Sequence, residues 1–306
     1  MTADAATPTP KRTCTCNRVH IGKPLGTEHG NTCWPCWSFY HDREHNLAQG
    51  GDGTVHEWLA EVRRPVHFDP PPTLALATPP KSPRAVVTVA SGPKGEEILA
   101  ISGERLASYA SRCGADFLIL RPPLNPRFLL AAKWHVASVL DHYERIAFID
   151  ADILIPPSAG NIFDEVPRGK FGIFDELHFV LRGWPGLIAG YQRFREGQGL
   201  GRAFVPWYLN SGVYVAERQH RAALATPVKP CHVDHCVEQH QLNAMLDTLG
   251  VPVHLLAEKW NFQWWPRQSF DGAPPDAMLH FSGIGDHGER VQRMRASAAA
   301  MGHWPA

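Results

Sequence analysis

Arg145-Ile-Ala-Phe-Ile-Asp-Ala-Asp-Ile-Leu-Ile155 is the stretch on which the fold turns. An apolar run, Ile146 to Ile149, delivers two acids, Asp150 and Asp152, and the chain becomes apolar again before Pro156-Pro157. Short apolar runs bounded by turn residues suit strands buried on both faces of a mainly parallel sheet. Acids at the carboxyl end of such a strand sit where open α/β sheets bind ligands. Carboxylates two residues apart point to opposite sides of an ideal strand. Both face one ion only if the strand ends and the backbone bends at Ala151. The stretch therefore reads as a divalent-metal site at a strand tip. A lone Asp-x-Asp is a weak signal, and its weight comes from its surroundings.

Upstream, Ala85–Ala90 reads as a buried strand closed by Ser91-Gly92-Pro93, and residues from about Glu96 to Arg112 show helical spacing. Asp116–Leu120 reads as a second strand, and Phe128 to His142 as a helix leading into the Asp150 strand. Downstream, Lys170–Phe174 reads as a strand ending at Asp175-Glu176. The segment from Leu177 to Pro206, rich in Gly, Trp and Arg, reads either as a lid or acceptor-binding insertion or as an amphipathic helix and loop. Strand–helix alternation is the βαβ pattern of a parallel sheet. Ser91-Gly92-Pro93-Lys94-Gly95 is neither G-x-G-x-x-G nor a P-loop, so a phosphate held here needs a metal ion.

The chain has 306 residues, 44% hydrophobic and 20% charged, enough for a sizeable core. Lys+Arg 30 balances Asp+Glu 30, which gives no basic footprint for nucleic acid or an anionic membrane. The opening residues lack a charged region followed by an apolar one, and no apolar run has the length of a membrane span. A cytoplasmic setting with reduced thiols is expected.

Three divisions follow: a Cys/His-rich module at 1–64, a proline-rich linker at 65–83 and the main domain at 84–306. Cys14, Cys16, Cys33 and Cys36 form two close pairs that can set four thiolates at the corners of a tetrahedron, as structural Zn²⁺ favours. A reducing compartment favours zinc over disulfides, although the first pair is tighter than a usual zinc ribbon.

The ordered set Asp150-Ala-Asp152, Asn210-Ser-Gly212, Glu238-Gln239 with Leu242-Asn243, and His280-Phe-Ser-Gly283 resembles retaining glycosyltransferases of the GT-A fold, in particular the glycogenin and lipopolysaccharide galactosyltransferase group. It spans about Arg84 to Asp286 and leaves out the cysteine module. The resemblance implies a mixed, mainly parallel α/β sheet flanked by helices. It also implies transfer of a sugar from a nucleotide-diphosphate donor to a hydroxyl acceptor such as a saccharide, with retention. Asp150, Asp152 and His280 would hold Mn²⁺ or Mg²⁺, and oxygen ligands with one imidazole suit Mn²⁺. Asn210 would contact the donor sugar, Glu238 and Gln239 would flank the anomeric carbon, and Asp175 and Lys133 would complete the substrate contacts. Trp260, Trp264 and Trp265 would serve either as acceptor stacking surfaces or as core.

The sequence departs from this pattern in two places. Glu238 stands where the family has Asp, and Asp286, followed by His287, stands where the family's histidine motif carries a diphosphate-gripping lysine. Arg290, Lys259 and Lys133 are the cations expected in its place. Two rivals remain. One is a haloacid-dehalogenase-like phosphatase using Asp150 and Asp152, disfavoured because two strands precede those acids. The other is an inactive transferase scaffold serving as a zinc-bearing binding module.

Overall fold

A computed structural model describes residues 65–123, 128–184, 186–202, 206–231 and 236–302. The expected zinc ligands Cys14, Cys16, Cys33 and Cys36 lie outside the described residues. Val66–Ala306 forms one compact unit, and it carries every element named below.

The central sheet contains β1 (Arg84–Val89), β2 (Asp116–Leu120), β3 (Arg145–Ile149), β5 (Phe171–Asp175), β6 (Leu209–Glu217) and β7 (Val253–Leu255), in the order β2-β1-β3-β6-β5-β7. β1 pairs parallel with β2 and β3, and β5 with β7, whereas β6 runs antiparallel to both β3 and β5. The mixed, mainly parallel α/β sheet expected from the sequence is what forms. Alternate residues of β3 feed opposite faces, as strand geometry requires. Ala147 and Ile149 join a core with Leu106 and Tyr109 of α1 (Gly92–Arg112). Ile146 and Phe148 join another with Val136, Leu140 and Leu242. All five β3 residues are buried, Arg145 included, and the four after it read as a continuous apolar run because both faces of the strand are covered.

Several local readings change. α1 begins at Gly92 rather than Glu96, because Pro93 sits in the first turn, where its missing N–H costs nothing. The helix expected at Phe128–His142 is a 3₁₀ run, Leu129–Asp141. The strand read as Lys170–Phe174 is shifted by one residue. Among the described residues of 177–206, two helices form, α3 (Leu177–Gly183) and α4 (Gly186–Gln198), following the short α2 (Ile162–Glu165). α4 buries Leu187, Tyr191 and Phe194. The 65–83 segment is not wholly a linker either. Val66 exchanges two backbone hydrogen bonds with Cys231 (2.8 and 2.9 Å), and the Phe68 ring meets Trp134 edge-on at 4.7 Å. Leu74 and Leu76 rest on the core, so the apolar residues between the prolines give this extended chain a face to bury.

Two features of the backbone bring the loops together. The β5–β6 register shifts between Ile173 and Phe174, so that Tyr214 opposes Ile173 while Asn210 opposes Phe174. The start of β6 thereby touches the end of β5 through Asn210 and the end of β3 through Gly212, whose carbonyl accepts from Asp150 N–H at 2.9 Å. A small second sheet joins β4 (Ile153–Leu154), β9 (Leu279–His280) and β8 (Phe262–Gln263) in the order β4-β9-β8. Its register sets His280 opposite both Ile153 and Gln263. The helices α5 (Val237–Thr248), α6 (Trp264–Arg267) and α7 (His287–Ala300) complete the domain. No described helix is long and apolar enough to cross a membrane.

Candidate metal centre

β3 ends at Ile149, and Asp150-Ala151-Asp152 forms a turn closed by Ile153 N–H on the Asp150 carbonyl at 3.1 Å. That bend removes the strand's alternation and lets both carboxylates face one side. Phe281 N–H binds the Asp152 carbonyl at 3.0 Å, tying β9 to the turn. One ligand atom from each of Asp150, Asp152 and His280 lies within 4.8 Å of the others. His280 Nε2 is 3.4 Å from Asp152 Oδ1 and 3.8 Å from Asp150 Oδ2. Two carboxylates and an imidazole form a donor set that fits Mn²⁺ or Mg²⁺ better than a thiolate-seeking metal.

Cations stand beside both acids. Lys133 Nζ donates to Asp150 Oδ2 at 2.7 Å, and Arg290 Nη1 lies 3.3 Å from Asp152 Oδ2. Lys259 is elsewhere, paired with Asp276 at 2.8 Å. The two acids titrate apart. Burial pushes Asp150 up, further than Lys133 pulls it down, and the charge of Asp152 adds to the rise. Burial also opposes ionisation of Asp152, but His280, Arg290 and Lys133 outweigh it and hold this carboxyl well below the usual range. Asp286 does not face these groups as a bare charge. It is the N-cap of α7, and its Oδ1 accepts Glu289 N–H at 2.7 Å.

The remaining expected residues divide into two groups. Asn210, Glu238 and Gln239 are buried around Ser211. Glu238 Oε1 accepts from Ser211 Oγ at 3.1 Å and lies 3.9 Å from Lys133 Nζ, while its buried Oε2 has no hydrogen-bond partner among the described residues. Burial pushes the Glu238 carboxyl up, against the pull of Lys133. Asp175 Oδ1 accepts the N–H groups of Leu177 (3.0 Å) and Tyr208 (2.9 Å) and so shapes the chain leaving β5. Trp260 is core at 2% exposure, Trp264 lies under the Arg293 guanidinium at 4.4 Å, and Trp265 meets Trp184 edge-on at 6.3 Å.

Sequence reasoning missed three residues, Glu176, Asn261 and Gln263. Glu176 is 2% exposed and accepts from Asn210 Nδ2 (3.0 Å), Gln239 Nε2 (2.7 Å) and Gln263 Nε2 (2.9 Å). Burial raises its carboxyl, and the three amides pull the other way. Asn261 joins His280 Nδ1 to Asn210 Oδ1. Two polar residues spaced by two in the aromatic-rich stretch Trp260-Asn-Phe-Gln-Trp264 were the available signal, since polar groups buried among aromatics need partners.

No family model matches the chain, and no curated protein matches it. Solved structures it resembles include those of several glycosyltransferases. One, described as involved in glycosylation of the major capsid of PBCV-1, has a TM-score of 0.48 and 12% identity, over 69% of this chain and 98% of that one. The bifunctional glycosyltransferase WbbM has a TM-score of 0.47 and 12% identity, over 75% of this chain and 53% of that one. A Drosophila β1,4-galactosyltransferase 7 mutant, in complex with manganese, UDP-Gal and xylobiose, has a TM-score of 0.38 and 14% identity, over 68% of this chain and 73% of that one.

Proposed function

We propose that this chain is a metal-dependent glycosyltransferase that moves a sugar from a nucleotide-diphosphate donor to a hydroxyl acceptor, a saccharide for choice, with retention of configuration. The observation that carries the proposal is the convergence of Asp150, Asp152 and His280 at the tip of β3, with Lys133 and Arg290 alongside. When bound, Mn²⁺ or Mg²⁺ would act as a Lewis acid on the departing diphosphate. Lys133 and Arg290 supply further positive charge where that negative charge develops, in place of the family lysine. Glu238 Oε2, buried and unpartnered within the described protein, would accept a donor-sugar hydroxyl. Gln239 would hold the sugar's anomeric side, its amide fixed by Ser211 N–H and by Glu176. Asn210, with Oδ1 engaged by Gly212 and Asn261, has only Nδ2 to offer a sugar beyond its bond to Glu176. Asp175 is left as a shaping residue. Zn²⁺ at Cys14, Cys16, Cys33 and Cys36 is proposed on sequence grounds alone. A cytoplasmic setting is likewise proposed on sequence grounds alone.

The test is hydrolysis and transfer with a panel of nucleotide sugars, with and without Mn²⁺. Metal-dependent release of nucleoside diphosphate is the expected result. Phosphate release from a phosphomonoester would favour the phosphatase reading, and neither activity would favour an inactive scaffold.

A further inference from the structure

We infer that Glu176 is a positioning residue for His280, acting through Asn210 and Asn261 so that the imidazole keeps a proton on Nδ1 and turns Nε2 toward Asp150 and Asp152. The purpose of this relay rests on the metal-centre reading above, whereas its hydrogen-bond geometry does not.

The direction of each bond follows from backbone N–H groups, which can only donate. Gly212 N–H donates to Asn210 Oδ1 at 2.9 Å, which leaves the amino end of that amide facing Glu176 Oε2 at 3.0 Å. Ser211 N–H donates to Gln239 Oε1 at 3.1 Å, which turns Gln239 Nε2 onto Glu176 Oε1 at 2.7 Å. Glu176 is thus held as an acceptor from two independent sides, and Gln263 Nε2 adds a third donor at 2.9 Å. Asn210 Oδ1, already fixed as an acceptor, also takes a bond from Asn261 Nδ2 at 2.9 Å. Asn261 is fully buried, and with its amino end committed its carbonyl end faces His280 Nδ1 at 2.7 Å. A carbonyl cannot donate, so the proton sits on Nδ1.

The lone pair of a neutral ring then lies on Nε2, the atom nearest both acids. This is the tautomer a metal ligand needs, and the partner on the other ring nitrogen is what selects it. The acids alone would favour the opposite arrangement, with a proton on Nε2 shared toward Asp152. The relay therefore decides a choice that the three ligand residues would make differently without it.

The experiment measures the His280 tautomer by long-range ¹H–¹⁵N correlation in the full chain, stripped of metal, at about pH 8, where an ordinary histidine is neutral. Mn²⁺ affinity is measured in parallel by EPR. Wild type should show the proton on Nδ1. Asn261→Leu removes the acceptor, and should move the proton toward Nε2 and weaken Mn²⁺ binding by about ten- to a hundredfold. Asn261→Asp keeps an acceptor opposite Nδ1 and should keep the wild-type tautomer. Glu176→Gln puts a donor where three donors converge, and should weaken Mn²⁺ binding by roughly three- to tenfold, a smaller effect than losing the direct partner. If Asn261→Leu does not fold, the wild-type tautomer and the Glu176→Gln titration decide. A wild-type His280 with no proton on Nδ1 would overturn the inference, as would unchanged tautomer and affinity in Glu176→Gln and Asn261→Leu together. A wild-type chain with the Nδ1 proton but no uptake of Mn²⁺ would sink the metal reading and leave the relay standing.

Discussion

Gly212 lies directly against the imidazole of His280: a methyl group in place of its hydrogen would come within 2.4 Å of Cε1 and 3.0 Å of Nδ1. The two residues belong to different sheets, β6 and β9, so the contact is where the sheets meet. Gly212→Ala is expected to push the ring off its line to the acids and to cost about 1–3 kcal/mol from overpacking. Mn²⁺ titration and a denaturant melt on the same variant would show both effects.

Lys133 neutralises Asp150 directly and stands 3.9 Å from Glu238. Lys133→Met leaves three acids, Asp150, Asp152 and Glu238, with one fewer cation in a mostly buried site. The expected loss without metal is roughly 3 kcal/mol, in the range for breaking a buried pair. Saturating Mn²⁺ should raise the melting temperature of this variant more than that of wild type, because a ligand that binds only the native state stabilises it.

Asp286 stands where the resemblance expects a lysine, and its carboxylate is spent on the first turn of α7. Asp286→Ala should therefore cost about 1 kcal/mol of stability, the usual worth of an N-cap, and leave Mn²⁺ affinity unchanged. A thermal melt paired with an Mn²⁺ titration checks both halves.

Burial, and then its 3.0 Å hydrogen bond to Asp116, push the Tyr143 phenol up to about 12. The folded chain thus favours the neutral phenol. That contribution is present below the unfolded value of about 10 and is lost as pH rises through the folded one. Between those limits wild type should lose stability more steeply than Tyr143→Phe, as read from urea unfolding at successive pH values. Tyr109 and Tyr214, also raised by burial, leave a residual slope in both.

Much of this was legible because burial writes itself into sequence. Ile146–Ile149 reads as a strand since both of its faces are covered, and the two acids after it mark where the strand stops. The partnership of those acids with His280 was legible only through a resemblance, because no local pattern connects residues so far apart in the chain. Glu176 was passed over for its neighbour Asp175. Both follow β5, and only the turn after the strand decides that Asp175 serves backbone N–H groups while Glu176 turns inward. The 3₁₀ run at Leu129–Asp141 was read as a helix of ordinary pitch, because apolar residues three and four apart suit either winding. The 65–76 stretch was read from its prolines rather than from Val66, Phe68, Leu74 and Leu76, whose burial ties it to the domain.

The most direct measurement is Mn²⁺ binding by EPR to wild type, Asp150→Asn and Asp152→Asn, each checked for folding by circular dichroism. One tight site in wild type, lost in both variants, is the expected result. A wild type without such a site, or an Asp152→Asn chain that binds as tightly as wild type, would contradict it.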